Sequence, residues 1–242
     1  VIEGNLYVLC QRLVVDGRVT GDIAGAAITA DINGQVDGSL TMLAGRLSVR
    51  GIVGADIYVA GPVIYLRPEA RLSSVNADVY TFALTTRVNT PITGNVNSAG
   101  YELYIGAPVS GHINFAGTSL TIDAPVGGEV LASVGSSTGT TQQLRSVTQW
   151  IEPELALGTP GLTVTANGSI GGRLAYSGTE PAALNGPVGG GVYYEPITPS
   201  TELAPDTSFA DAVGRYLHAV LRDYIAPLLV GGVLVLALPR TV

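Results

Sequence analysis

Aliphatic residues recur along this chain at a fixed interval, with polar residues between them, and the interval carries more information than any single segment. Segments beginning at Ile2, Val19, Val36 and Val53 follow one another every 17 residues, and the interval returns at Ile92, Val109 and Val126. They read IEGNLYVLC, VTGDIAGAA, VDGSLTMLA, VGADIYVAG, ITGNVNSAG, VSGHINFAG and VGGEVLASV. Each opens with an aliphatic residue, any residue, a glycine, a polar residue and a second aliphatic. An alternating pair follows within the unit: Leu13/Val15, Ala30/Ile32, Leu47/Val49, Ile64/Leu66, Leu103/Ile105 and Leu120/Ile122. Period two marks short strands with one buried face, and a fixed repeat marks a solenoid whose turns complete their backbone hydrogen bonding on the turns above and below. A β-sandwich would not hold a constant period.

A unit of 17 residues has room for about three short strands and three corners. The glycine at the third position (Gly4, Gly21, Gly38, Gly94, Gly111, Gly128) is expected to turn a corner at positive φ, with Ala55 the exception. Between residues 72 and 91 the pattern is irregular and reads as one turn lengthened by three residues. After Val126 the chain leaves the pattern for a loop at about 134–160; Leu162 and Val164 resume it, and the head recurs at Ile170 and Val188. The expected fold is all-β, a parallel β-helix of about ten turns over residues 1–195, a rod on the order of 48 Å long.

The [VI]-x-G-x-[VIL] head, stacked with Leu-x-Ile or Leu-x-Val pairs over residues 2–195, resembles the bactofilin group of polymer-forming bacterial cytoskeletal proteins. The resemblance implies a right-handed, three-sided β-helix that joins end to end into nonpolar filaments without nucleotide. The inserted loop, a Pro-rich linker and an apolar tail depart from the short cytoplasmic members and point to membrane-attached relatives.

The linker, 196–207, has no periodicity. Residues 208–242 read as a C-terminal helix followed by a membrane segment. Ser208 and Asp211 have capping-box spacing, and Phe209, Val213, Tyr216, Leu217, Val220, Leu221 and Tyr224 recur on one helical face. The run IAPLLVGGVLVLALP, with Leu228, Leu229, Val233, Leu234 and Leu236, carries no charge. Its 16 residues from Tyr224 to Pro239 would span about 24 Å as a helix, short of a bilayer core of roughly 30 Å. Two readings stand: a short membrane span, or a buried segment sealing the coil. In the loop, Trp150, Ile151 and Leu155 either fold back over the coil or offer a contact to a protein or glycan partner.

Composition narrows function chiefly by exclusion. Charged residues make up 13% of the chain, the net charge is −7, and every basic residue is arginine, so a phosphate-tracking nucleic-acid surface is not expected. One cysteine, Cys10, and two histidines leave little material for a disulfide framework, a metal site or a catalytic triad. No cofactor is expected. The fourth repeat position runs Asn5, Asp22, Ser39, Asp56, then Asn95, His112, Glu129 and Arg173; Asp22 and Asp56 sit near 10 Å apart, a spacing only an inverting carboxylate pair would tolerate. Solvated corner residues explain this ladder better than catalysis does, His112 included, and Cys10 reads as a small packed residue. The expectation is a structural protein, not an enzyme. Its partners are copies of itself, through an open first turn carrying Ile2, Leu6 and Val8, and a membrane, through the tail. The expected location is the cell envelope, extracytoplasmic.

Overall fold

The computed structural model describes residues 1–67, 77–135 and 157–197. The chain divides into two units, Val1–Thr198 and Pro199–Val242, and all described residues belong to the first. Among them the architecture is an all-β parallel solenoid of about nine turns, with a tenth strand begun at the end.

A regular turn is built from one long bent strand and one short one, the short one reduced to single bridges at Ile92, Val109 and Val188. The long strands are β1 (Leu6–Val15), β3 (Ile23–Ile32), β5 (Leu40–Val49), β7 (Ile57–Leu66), β8 (Val79–Val88), β9 (Val96–Ile105) and β10 (Ile113–Ile122). The short ones are β2 (Arg18–Val19), β4 (Gln35–Val36), β6 (Ile52–Val53) and β11 (Pro125–Val126). After β10 the long strand is split into two arms, β12 (Val130–Val134) with β13 (Gly161–Val164), then β15 (Leu174–Gly178) with β16 (Ala183–Leu184). The short strand β14 (Ser169–Ile170) lies between them, and β17 (Val192–Pro196) is the last strand. All pairings are parallel, and the ladder skips one residue at the bend, so that Cys10 pairs with Ala27 and Arg12 with Thr29 while Gln11 and Ile28 mark the corner. Two arms and a short strand thus make up a regular turn.

The interior follows from the period. Leu13, Ala30, Leu47, Ile64, Leu103 and Leu120 stack in one buried column, and Val15, Ile32, Val49, Leu66, Ile105 and Ile122 in another. A third column, Val19, Val36, Val53, Ile92, Val109, Val126 and Ile170, is equally dry. Each aliphatic side chain therefore meets its own kind one turn away, which buries nearly all its apolar surface.

Three expectations need correction. The lengthened turn is not three residues longer: Ile57 pairs with Val79, an offset of 22 where the turns on either side of it have 17, so the insertion is five residues and precedes β8. The segment 79–88, read as irregular, is a regular strand whose inward threonines satisfy one another, Thr86 donating to Thr81 at 3.1 Å and Thr81 to Ser98 at 2.8 Å. Finally, the glycines at the third repeat position do not all turn at positive φ. Gly4 does, but Gly21, Gly38, Gly94, Gly111 and Gly128 do not. Their role is space, and it belongs to the ladder described next.

Candidate functional site

The fourth repeat position forms a line of staples between turns. Asn5 Oδ1 accepts the backbone N–H of Asp22 at 2.9 Å, and Asp22 Oδ1 accepts that of Ser39 at 2.8 Å. The series continues with Asp56 to Asp78 at 3.0 Å, Asp78 to Asn95 at 2.7 Å, Asn95 to His112 at 2.8 Å and His112 Nδ1 to Glu129 at 3.0 Å. Each side chain satisfies an amide of the next turn. A Cβ on Gly21 would lie 2.2 Å from Asn5 Oδ1, one on Gly38 2.2 Å from Asp22 Oδ1, and one on Gly94 2.4 Å from Asp78 Oδ1. The head glycine is thus the space through which the staple passes. Ala55 lies above Ser39, too short to reach into that space. Ala77 lies above Asp56, whose bond is the longest of the aspartate and asparagine staples.

This arrangement accounts for Asp22, Asp56 and His112 structurally. Asp78, which the sequence pattern hid, belongs to the same line. Hydrogen bonds from the Asn95 backbone N–H, then from the Asn95 amide and Tyr80, hold the Asp78 carboxyl below its usual range against the opposing effect of desolvation. Tyr58 donates to Asp56 Oδ2 at 3.0 Å, which pushes the Tyr58 hydroxyl up. Among the described residues no group of three or more His, Cys, Asp or Glu side chains is placed to hold a metal ion.

At the first turn the structure brings Ile2, Leu6 and Val8 to one end of the interior. Ile2 bridges to Val19, while Leu6 and Val8 are half-buried against the core. β1 pairs with β3 on one side and with no described strand on the other. The Leu6 N–H is committed to Asp22 O at 2.8 Å, so strand alternation turns the backbone groups of Tyr7 and Leu9 toward the open side. Cys10 is exposed, against expectation: its equivalents Ala27 and Ala44 are covered by turns on both sides, and Cys10 has a described turn on one side only.

No family model, curated protein or solved structure matches the chain. The site therefore has to be read from its own geometry.

Two polar clusters lie away from the staples. Glu102, only 5% exposed, accepts from Thr85 at 3.2 Å and from Arg87 at 3.4 Å, a buried carboxylate with both oxygens partnered. Asp123 accepts from Thr165, from Tyr104 at 2.8 Å and from Asn167 at 3.2 Å, tying β10 to the segment after β13. The Thr165 hydroxyl, followed by Tyr104, holds the Asp123 carboxyl below its ordinary range.

The outer face of the first arm is the other notable surface. A shallow groove of about 1080 Å³ runs up it, lined by residues such as Leu43, Tyr58, Tyr80, Phe82 and Leu131. Tyr58 and Tyr80 stack with centroids 4.9 Å apart and rings within 7° of parallel. The periodicity contained this signal: two outward columns pass nine turns without a charged residue.

The loop residues Trp150, Ile151 and Leu155 and the tail residues Leu228, Leu229, Val233, Leu234 and Leu236 lie outside the described residues. Among the described residues no helix is long and apolar enough to cross a membrane.

Proposed function

We propose that this chain is a self-assembling structural solenoid, a bactofilin-like subunit that stacks end to end through its first turn. In this reading it forms a filament or lattice at the cell envelope, extracytoplasmic and attached to the membrane by the 208–242 tail, with no catalytic activity and no cofactor. The observation that carries it is the edge of β1 that faces away from β3, with no partner among the described strands. Apolar interior columns reach that end with Leu6 and Val8 incompletely covered, and the backbone groups of Tyr7 and Leu9 face outward. A strand edge of ten residues that no described strand pairs is a template for another strand, and a second copy supplies one of matching period. The right-handed winding expected of parallel β connections would apply equally to the stacked copy.

The test is negative-stain microscopy of the purified chain beside two variants. Leu6→Lys places a charge in the half-buried end of the core; Tyr7→Pro removes an N–H that faces the open edge and leaves internal bonds intact. Filaments that vanish in both variants, with the β spectrum retained, support the reading. Assemblies that persist unchanged in both refute it.

A second reading, a rod presenting the loop to a protein or glycan, draws on the split turn. The ladder holds on both sides of the loop, with Val134 paired to Gly117 and Leu162 to Leu120. Replacing residues 136–156 by a short Gly/Ser linker separates the two: assembly survives if the ends act, and partner capture is lost if the loop acts.

A further inference from the structure

The outer face of the first arm has a size pattern that the end-stacking reading does not use. Its outermost column alternates: Leu9, Ala26, Leu43, Ala60, Phe82, Ala99, one residue per turn over six turns. The large members stand out from the surface, with Leu9 89%, Leu43 60% and Phe82 66% exposed. Ala116 follows Ala99, so the alternation ends at the sixth turn. The neighbouring outward column reads Tyr7, Ala24, Thr41, Tyr58, Tyr80, Asn97. Over these six turns neither column contains a charge, in a chain whose net charge is −7.

The geometry points to a second copy of this chain as the occupant of this face, docked about a two-fold axis that runs parallel to the strands between the third and fourth turns. Such an axis sets turn one against turn six, two against five and three against four. Leu9 then meets Ala99, Phe82 meets Ala26, and Leu43 meets Ala60. The other column complements itself in the same register: Tyr7 faces Asn97, Tyr80 faces Ala24, and Tyr58 faces Thr41. Every bulky side chain is opposed by a smaller one, which is the condition for two sheets to close to about 10 Å without voids. An isologous two-fold contact requires this self-complementarity.

Area and the match of large to small side chains favour a second copy over other occupants. Six strands about 4.8 Å apart, each contributing five residues at about 3.3 Å, give roughly 470 Å² of flat footprint per copy. Side-chain relief adds to this, so the pair clears the ~1,000 Å² expected of a specific interface at its lower end. The two columns bring no charge into the contact; the aspartates of the staple line, Asp56 and Asp78, lie at its margin, each with a carboxylate oxygen accepting from Tyr58 or Tyr80. The contact is lateral and leaves the open edge of β1 unused, so it does not depend on end stacking.

Sedimentation of the full 242-residue chain in the Leu6→Lys background, which removes end stacking, tests the pairing. The protein should dimerise at micromolar concentration. Leu43→Asp and Ala60→Arg, both on the outer face, should each sediment as monomers because each buries an unpaired charge twice. An equimolar mixture should regain the dimer, since the new carboxylate and guanidinium then face each other. A second measurement does not depend on tolerance of these charges. With Cys10→Ser, the pair Leu9→Cys and Ala99→Cys, five turns apart within one copy, should be joined between copies by a short bis-maleimide, because sheets about 10 Å apart hold facing residues too far from each other for a direct disulfide. A monomer at concentrations on the order of 100 μM, or a mixture that fails to recover, overturns the proposal. So does a wild-type monomer that binds an immobilised neutral polysaccharide and loses that binding with Leu43→Asp, because the occupant is then a glycan.

Discussion

If the head glycine exists to let the staple pass, then Asp78 and Gly94 are energetically one feature and a double-mutant cycle will show it. Asp78→Ala removes the acceptor for the Asn95 N–H at 2.7 Å, the Asn95 amide at 3.1 Å and the Tyr80 hydroxyl at 3.3 Å. Bonds to a carboxylate contribute more than neutral ones, but this group is half-buried and water replaces part of the loss, leaving about 1–2 kcal/mol. Gly94→Ala sets a Cβ 2.4 Å from Asp78 Oδ1 and 2.7 Å from the Ala77 carbonyl. It displaces the same carboxylate and adds a backbone adjustment of about 1 kcal/mol. In the Asp78→Ala background only the adjustment remains, so the two costs should fall short of additivity by about 1 kcal/mol. Urea unfolding at neutral pH gives the totals, and hydrogen exchange at the Asn95 amide reports the staple locally. Costs that add within about 0.3 kcal/mol would falsify the account of the glycine. The pH dependence has a definite sign. The Asp78 carboxyl is depressed in the folded chain, so its contribution is complete above the unfolded value of about 3.9. It is lost as pH falls through the folded value, and wild type and Asp78→Ala should converge in acid.

Two further outcomes follow from the same stacking. Gly100→Ala, at φ 153° with the new Cβ 1.5 Å from Ala83 O, should cost more than about 3 kcal/mol, read as a large fall in Tm, because backbone of the preceding turn must move. Tyr104→Phe removes a donor to Asp123 and should cost about 1 kcal/mol near neutral pH; the gap from wild type should narrow in acid as the depressed Asp123 carboxyl protonates.

Much of the coil was legible because its columns are chemically uniform: Val19, Val36 and Val53 occupy one position of the repeat and one column of the interior. Legibility failed where the columns change chemistry. β8 places Thr81 and Thr86 inward where aliphatics are expected, and their mutual hydrogen bonds cannot be seen from a hydrophobic pattern. The five-residue insertion before β8 coincides with alanine at the head position, removing the glycine that marks the other turns. Asp22, Asp56 and His112 were placed correctly at a corner, but their bonds across turns are relations between residues 17 or 22 apart, invisible to local reading. The uncharged face was within reach, since two columns without charge over nine turns form a periodic signal. It is an absence, however, and a search for chemistry passes over it.

The constant offset between stacked neighbours also bears on how such a rod can change length. Removing or duplicating 17 residues shifts every later column onto an equivalent one, and the interior stays aliphatic. Losing or gaining a single residue within an arm turns the inward side chains of that arm to solvent. A gene encoding this coil can therefore be edited in quanta of seventeen codons, each worth about 4.8 Å of reach. Shorter changes are confined to corners such as the one before β8.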